Sequence, residues 1–184
     1  MQNRLLEIKK KFFEDVARYK KNHSLKFGIE LIFNLDFWPI ILIRLEELQQ
    51  HLRGPLTIIL KIILLVIRPI IQAASGTRIF YGAQFGGGLL LHTSVGIVIA
   101  SKVKIGNNCT ILSQVAIAHK GDGKGLGAPK IGDNVKLMNG CKIIGPITIG
   151  NNCIIGANAV VLTDIPDNCI VAGVPAKIIK KING

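Results

Sequence analysis

Aromatic side chains are scarce in this sequence, and this scarcity limits how its core can be built. They make up only 5% of the 184 residues, although 49% of the residues are hydrophobic. The core must therefore be packed from Ile, Val, Leu and Ala. That mixture suits narrow, stacked coils of chain, and it leaves few rings for stacking on nucleotide bases.

Acidic residues are also few. The chain has 11 Asp and Glu against 23 Lys and Arg, which gives a formal net charge of +12. A basic chain raises the question of nucleic-acid binding, but no recognised nucleic-acid motif accompanies the charge here. We expect no nucleic-acid partner, because a phosphate-bearing small ligand or an anionic membrane surface suits the charge better.

Cysteine and signal patterns exclude two further classes. The four cysteines do not have the spacing of a zinc site, and we expect no metal. The first residues, MQNRLLEIKKKFFEDVARYKK, are charged and amphipathic and lack the apolar core and cleavage site of a secretory signal. The sequence therefore predicts a cytoplasmic protein with buried, reduced thiols.

A repeat of six residues dominates the second half of the chain. Its large apolar members, six residues apart, are Ile131, Leu137, Ile143, Ile149, Ile155 and Val161. A second set follows each of these by four residues: Val135, Cys141, Ile147, Cys153 and Ala159. Strands have a period of two and helices a period of 3.6, so this period predicts a solenoid, the parallel β-helix. The large side chains should stack in one continuous inner column.

The repeat begins earlier and is interrupted twice. Ile79, Phe85, Leu91 and Ile97 are six apart, and the next member is Ile105, so two extra residues are expected between Ile97 and Ile105. The Gly-rich run HKGDGKGLGAPK, residues 119–130, breaks the period and should form an extruded loop. We expect a β-helix over residues 76–184, with a short C-terminal tail, and a separate helical region over residues 1–75.

Three helices are expected in the N-terminal region. Apolar residues recur at helical spacing in residues 3–22 and 37–53, and residues 56–74 form the most apolar run. That run is almost long enough to span a membrane, but it contains Lys61, Arg68 and Pro69. Three alternatives stay open: a spanning helix, an amphipathic helix lying on a membrane, and a helix packed against another subunit.

The ending Gly156-Ala-Asn-Ala-Val-Val, with Asp164-Ile-Pro and Ala172-Gly-Val-Pro-Ala-Lys177, resembles the left-handed β-helix acyltransferases. The order GLLLH, GIVI, IGNNCTILSQVAIA and APKIGDNV is closest to the serine acetyltransferase branch, which includes O-acetyltransferases of polysaccharide biosynthesis. The resemblance covers roughly residues 76–180. It implies a mainly β fold wound left-handed, a homotrimer, and coenzyme A bound between neighbouring β-helices. It also implies acetyl-CoA as co-substrate, with no permanently bound cofactor, and a histidine as general base.

The turn Leu91-His92-Thr93-Ser94-Val95-Gly96 departs from that branch. In serine acetyltransferases the corresponding turn begins Leu-Asp-His, where the Asp contacts serine and the His is the base. Without a gap, His92 takes the place of the Asp and Thr93 the place of the base. A supporting Asp one coil earlier and a His at the loop exit are also absent, since these segments read Arg78-Ile79-Phe80-Tyr81 and Ala128-Pro129-Lys130.

Two histidines are nevertheless candidates for catalysis. His92 follows an inward residue and should point outward, and His119 follows Ile117 by two residues, the offset at which the family's base follows its own inward residue. We expect His92 of one subunit to approach His119 of its neighbour, with one as the base. Thr93 and Ser94, on the same turn as His92, are the candidates for contact with the acceptor.

Coenzyme A contacts are inferred from the resemblance alone. The corners Asn139-Gly140 and Gly156-Ala157 should offer backbone groups to the pantetheine amides. Lys177, near the last coil, should meet the coenzyme A phosphates.

The predicted function is acetyl transfer from acetyl-CoA to a hydroxyl group. A sugar hydroxyl in surface polysaccharide synthesis, free or carried on a lipid, is the expected acceptor, because the carboxylates of the serine site are absent. The apolar run at 56–74 would then lie on the inner face of the membrane. The alternatives are serine O-acetyltransferase, which would need carboxylates from the helical region, and a catalytically inactive trimeric scaffold.

Overall fold

The computed structural model describes residues 2–23, 34–120 and 127–182. Three helices precede a long series of short strands. The helices are α1 (Gln2–His23), α2 (Trp38–His51) and α3 (Pro55–Ser75). The strands are β1 (Arg78–Ile79), β2 (Gln84–Phe85), β3 (Leu90–His92), β4 (Val98–Ile99), β5 (Lys104–Ile105), β6 (Thr110–Leu112), β7 (Ala116–Ala118), β8 (Lys130–Ile131), β9 (Lys136–Leu137), β10 (Lys142–Ile144), β11 (Thr148–Ile149), β12 (Ile154–Ile155), β13 (Val160–Val161), β14 (Cys169–Ala172) and β15 (Lys177–Lys181).

The strands form three parallel sheets that are the three faces of a solenoid. The first sheet has the order β1-β4-β7-β10-β13, the second β2-β5-β8-β11 and the third β3-β6-β9-β12-β14, to which β15 adds antiparallel. As far as β13, every third strand lies in the same sheet, as a six-residue repeat with three units per coil requires. The predicted β-helix is confirmed in its fold and its period.

The inner column consists of the residues that the repeat selects. Ile143 and Leu137 of the large set and Cys141 and Val135 of the small set are all completely buried. Several corners between strands place an Asn at positive φ, a conformation that Asn tolerates better than most residues; these include Asn108, Asn134, Asn152 and Asn158. All four cysteines are buried and unbridged, as expected for Cys109, Cys141 and Cys153.

The position predicted for the two extra residues is wrong. Ile99, and not Ile97, pairs with Ile79 in the coil below and with Ile117 in the coil above. Ile97 takes the small inner position two residues before it, so the insertion lies between Leu91 and Ile97. Both Ile97 and Ile99 are apolar, and the spacing alone could not show which of them continues the large set. The turn that contains His92 is therefore two residues longer than a regular corner.

The segment that should form the extruded loop lies largely outside the described residues. The structure describes the chain up to Lys120 and again from Gly127. The strands on either side, β7 and β8, take their regular places against β4 and β5. The solenoid therefore continues in register across the interruption.

The helices lie within one or two residues of their expected bounds. Pro69 lies inside α3 and does not end it. Because proline cannot donate the i to i−4 hydrogen bond, the helix loses one bond there, yet it continues to Ser75 and a left-handed Gly76.

The helical region and the first coils share one hydrophobic core. Tyr19 of α1 and Ile40 and Ile43 of α2 belong to the same buried cluster as Leu89 and Leu91. A buried ion pair lies at this junction. Arg44 Nε donates to Asp15 Oδ2 over 2.8 Å, and the Leu89 N–H donates to Asp15 Oδ1 over 2.8 Å. The two regions are thus joined by apolar packing and by a fully buried charge pair.

Candidate active site

The lengthened turn after β3 projects His92 from the solenoid. Leu91 points into the core, so the next residue, His92, points outward and is exposed. Thr93 follows at φ 54°, a left-handed conformation that is unfavourable for a β-branched residue. Strain of this kind persists only where the surroundings hold it, and it is common at functional sites.

Asp36, just before α2, holds this turn from outside the solenoid. Its Oδ2 accepts the backbone N–H of Thr93 over 3.2 Å, and its Oδ1 accepts the N–H of Ser94 over 2.7 Å. The Ser94 hydroxyl donates to the same Oδ1 over 2.6 Å. One carboxylate therefore satisfies three donors of two successive residues, which stabilises the strained conformation of Thr93.

Tyr19 connects Asp36 to the strand that carries His92. Its buried hydroxyl lies 3.0 Å from the backbone oxygen of Asp36 and in short contact with the backbone oxygen of Leu91. Burial raises the pKa of Tyr19 well above its usual range, so the phenol stays protonated and can donate. The position of Asp36 is thus coupled to the residue directly before His92.

Ser94 was predicted to contact the acceptor, but the structure does not place it where an acceptor could reach it. Its side chain is buried, and its hydroxyl is used by Asp36. The Thr77 hydroxyl donates to the backbone oxygen of Ser94 over 2.6 Å, which fixes the turn from within. Ser94 therefore supports the turn, and Thr93 remains the exposed neighbour of His92.

His119 lies in a different sheet, directly after β7. Its Nε2 is 3.5 Å from Ser101 Oγ, and its Nδ1 is buried without a hydrogen-bond partner among the described residues. His92 belongs to the sheet of β3, whereas β7 belongs to the sheet of β1. The two histidines are thus in different sheets of one chain. Their expected meeting across two subunits stays a prediction.

The two corners expected to offer backbone groups to coenzyme A are only partly as predicted. The Gly140 N–H donates to Ser113 O over 2.9 Å, and the Gly156 N–H donates to Val171 O over 2.8 Å. The backbone oxygen of Asn139 accepts from Asn158 over 2.9 Å. The two N–H groups are used between coils and are not available to a ligand in this arrangement, whereas the Asn139 oxygen keeps a second lone pair.

Gly140 has a steric role that the prediction missed. Its φ is 73°, and a Cβ built there would lie 2.1 Å from Asn158 Oδ1 in the next coil. Of the residues assigned to coenzyme A, Asn139, Ala157 and Lys177 are exposed, and Lys177 begins β15. Within the described residues, the structure brings together no group of three His, Cys, Asp or Glu side chains that could hold a metal ion.

The model of the bacterial transferase hexapeptide family, which describes six repeats, matches residues 128–163. The serine acetyltransferase of Staphylococcus xylosus is 39% identical over 116 residues, which cover 63% of this chain and 54% of that protein. The chain thus spans about half the length of the curated relatives it matches.

Solved structures extend the similarity into the helices. The serine acetyltransferase of Neisseria gonorrhoeae in complex with serine is 28% identical, with a TM-score of 0.80, over 97% of this chain and 72% of that one. The enzyme from Brucella abortus strain S19 in complex with coenzyme A is 26% identical, with a TM-score of 0.78, over 92% of this chain and 66% of that one.

This chain fits the serine acetyltransferase branch of the left-handed β-helix acyltransferases. The expected left-handed β-helix with N-terminal helices is confirmed by the parallel solenoid together with these neighbours. The expected sugar acceptor finds no support among the relatives, whose names favour the serine alternative.

Asp36 is the residue at the His92 turn that sequence reasoning missed. It lies 57 residues before Thr93, between the helices expected at 3–22 and 37–53, where no prediction was made. A lone acidic residue between apolar neighbours, in Leu35-Asp36-Phe37, was the available signal. The serine alternative required carboxylates from the helical region, and Asp36 is a carboxylate of that region at the His92 turn, where it accepts from Thr93 and Ser94.

Proposed function

We propose that this chain transfers an acetyl group from acetyl-CoA to the hydroxyl of serine. The observation that carries this proposal is the exposed His92 on a turn held by Asp36, in a chain similar to serine acetyltransferases over 97% of its length. Asp36 supplies from the helical region a carboxylate that the turn itself lacks.

His92 is the proposed general base. Its imidazole takes the proton of the acceptor hydroxyl as that oxygen attacks the thioester carbonyl carbon. The C–S bond then breaks, and the imidazolium returns the proton to the leaving thiolate. General-base catalysis of this kind contributes about 10²- to 10⁴-fold. A backbone N–H near the turn would stabilise the oxyanion that forms at the carbonyl.

We further propose that the active unit is a homotrimer with coenzyme A between neighbouring β-helices. Support comes from His119, whose buried Nδ1 has no partner among the described residues of one chain. A neighbouring subunit or a ligand would satisfy that nitrogen, and a buried nitrogen left unsatisfied is costly. In this arrangement Ala157 and Lys177 face the pantetheine arm and the phosphates.

The test is release of the coenzyme A thiol from acetyl-CoA, with L-serine and a panel of sugars and nucleotide sugars as acceptors. We expect serine-dependent release that falls about 10²- to 10⁴-fold in His92→Ala. His119→Ala should reduce it as well, and His51→Ala at the end of α2 is the matched control. Release with sugars alone, or binding of coenzyme A without turnover for any acceptor, would overturn the proposal.

A further inference from the structure

The outward face of α3 is an unusual surface for a protein in water. Eight large aliphatic side chains of this helix are between 43% and 76% exposed: Leu56, Ile58, Ile59, Ile62, Ile63, Leu65, Val66 and Ile70. Leu64, Ile71 and Ser75 are the residues of α3 that are buried. Contiguous apolar surface of this size marks a site of interaction with a protein or a membrane.

The polar groups of α3 lie at the edge of its inward face. Leu60, Leu64, Ile67 and Ile71 recur at three- and four-residue steps and pack toward α2. Lys61 and Arg68 lie beside this row, and Arg68 pairs with Glu46 of α2 over 2.7 Å. The rest of the circumference is aliphatic. The helix is amphipathic, but its wider apolar arc faces away from the protein.

The helix is tied to the protein along its length, so a spanning orientation does not fit. Among the described residues it is long and apolar enough to cross a membrane, with a mean hydropathy of 2.1 over an 18-residue window. However, the Arg68–Glu46 pair and a 3.2 Å hydrogen bond from Gln72 to Ile79 O hold it against α2 and β1. A helix held along one side can lie on a bilayer with its other side in the lipid.

Charge decides between a lipid surface and a second copy of this chain. The sequence has no Asp or Glu between Glu47 and Asp122, whereas Arg53 precedes α3, Lys61 lies within it and Arg78 follows it. Packing of α3 against α3 would bring these cations together with no carboxylate from this segment. The arc also lacks the aromatic anchors and hydrogen-bonding groups that are enriched in protein interfaces. Anionic headgroups would complement the cations, and acyl chains would cover the aliphatic arc.

We propose that α3 lies flat on an anionic lipid bilayer. Ile58, Ile62 and Val66 then enter the boundary between headgroups and acyl chains, and Lys61 extends its amine to the headgroups. This contact is independent of acetyl transfer. It would place the β-helix at a membrane surface.

Sedimentation of the full chain with vesicles tests the proposal. One vesicle population is pure phosphatidylcholine, and the other contains about 30% phosphatidylglycerol. We expect binding to the anionic vesicles that weakens about tenfold or more in Ile62→Gln/Val66→Gln, because two buried aliphatic side chains are lost. Lys61→Gln should weaken binding several-fold on anionic vesicles only. Ile179→Gln, on the exposed Ile179 of β15, is the matched control and should bind as the unchanged chain does.

Sedimentation velocity without lipid tests the alternative that a second copy of this chain, and not lipid, covers α3. The variants at Ile62 and Val66 should keep the assembly size of the unchanged chain. A smaller assembly in the variants would show that another subunit covers α3, and it would overturn the proposal. Absence of vesicle binding, or binding that is the same in all variants, would overturn it too. Acetyl transfer measured in parallel keeps this outcome separate from the proposed function.

Discussion

The β-helix and the helical region use the same aliphatic side chains for opposite purposes. Ile143 and Ile149 in the solenoid are completely buried, whereas Ile58 and Ile62 in α3 are about 60% exposed. In the solenoid each two-residue strand turns one side chain inward, and the next coil covers it. The solenoid thus buries its own apolar side chains, whereas the helical region leaves many of its apolar side chains exposed on α3.

The two regions also differ in how they turn the backbone. Regular corners of the solenoid use Asn at positive φ and hydrogen bonds to the next coil, as at Asn134 and Asn152. The lengthened turn at His92 has Thr93 in that conformation, and its donors are satisfied by Asp36 from the helical region. The irregular turn therefore depends on a residue outside the repeat, and this is the turn that carries the candidate base.

The largest effect on stability is expected at the junction of the two regions. Asp15→Ala leaves the buried Arg44 with Glu47 as its remaining ion-pair partner and removes the acceptor of the Leu89 N–H; breaking a buried pair of this kind costs up to about 3–5 kcal/mol. Glu14→Ala on the same helix removes only an exposed pair with Lys10 and should cost less than about 1 kcal/mol. Urea unfolding measures both variants. Equal small losses would mean that the regions are not joined through Asp15.

Truncation of one isoleucine in the solenoid and one on the outer face of α3 should change the free energy of unfolding by very different amounts. Ile143→Ala creates a cavity in the inner column and should cost about 2–5 kcal/mol in the free energy of unfolding. Ile62→Ala removes an exposed side chain and should change it by no more than about 0.5 kcal/mol in lipid-free buffer. A loss above about 2 kcal/mol for Ile62→Ala would reveal that protein covers this face.

Alkaline pH should weaken the solenoid through its buried thiols. Burial raises the pKa of Cys109 to about 11 and that of Cys141 to about 12. Unfolded thiols ionise near pH 8.5, so the stability that the protonated thiols contribute is complete below that pH and is lost as pH rises through the folded pKa values. At pH 10.5 the expected loss is roughly 2 kcal/mol per thiol.

Urea unfolding at pH 8 and 10.5 checks this loss. Cys141→Ala should remove the part of the pH dependence that Cys141 contributes, although the variant is also less stable at pH 8. The helical region has no cysteine, since the four are at positions 109, 141, 153 and 169. If the free energy of unfolding of Cys141→Ala depended on pH as that of the unchanged chain does, the Cys141 thiol would not be a source of the alkaline loss.

The sequence was sufficient to predict the repeat but not the position of the lengthened turn that interrupts it at His92. The period of six predicted the inner column because each residue type is dictated by its own position in the coil. The site of the insertion was missed because Ile97 and Ile99 both suit the inside. Asp36 was missed because its contact with Thr93 joins distant parts of the chain, which no local period can reveal. Ser94 was assigned to the acceptor because its burial by the helical region was not visible in the sequence.

The most direct test of the account is the kinetics of Asp36→Ala with acetyl-CoA and serine, because the central claim is that the helical region holds the catalytic turn. Asp133→Ala is the matched control, since Asp133 accepts the N–H of Asn107 over 2.6 Å at a regular corner. We predict that kcat falls at least about tenfold in Asp36→Ala, with little change in KM for acetyl-CoA, and stays within about twofold in the control. An unchanged kcat in Asp36→Ala, or an equal fall in both variants, would contradict the account.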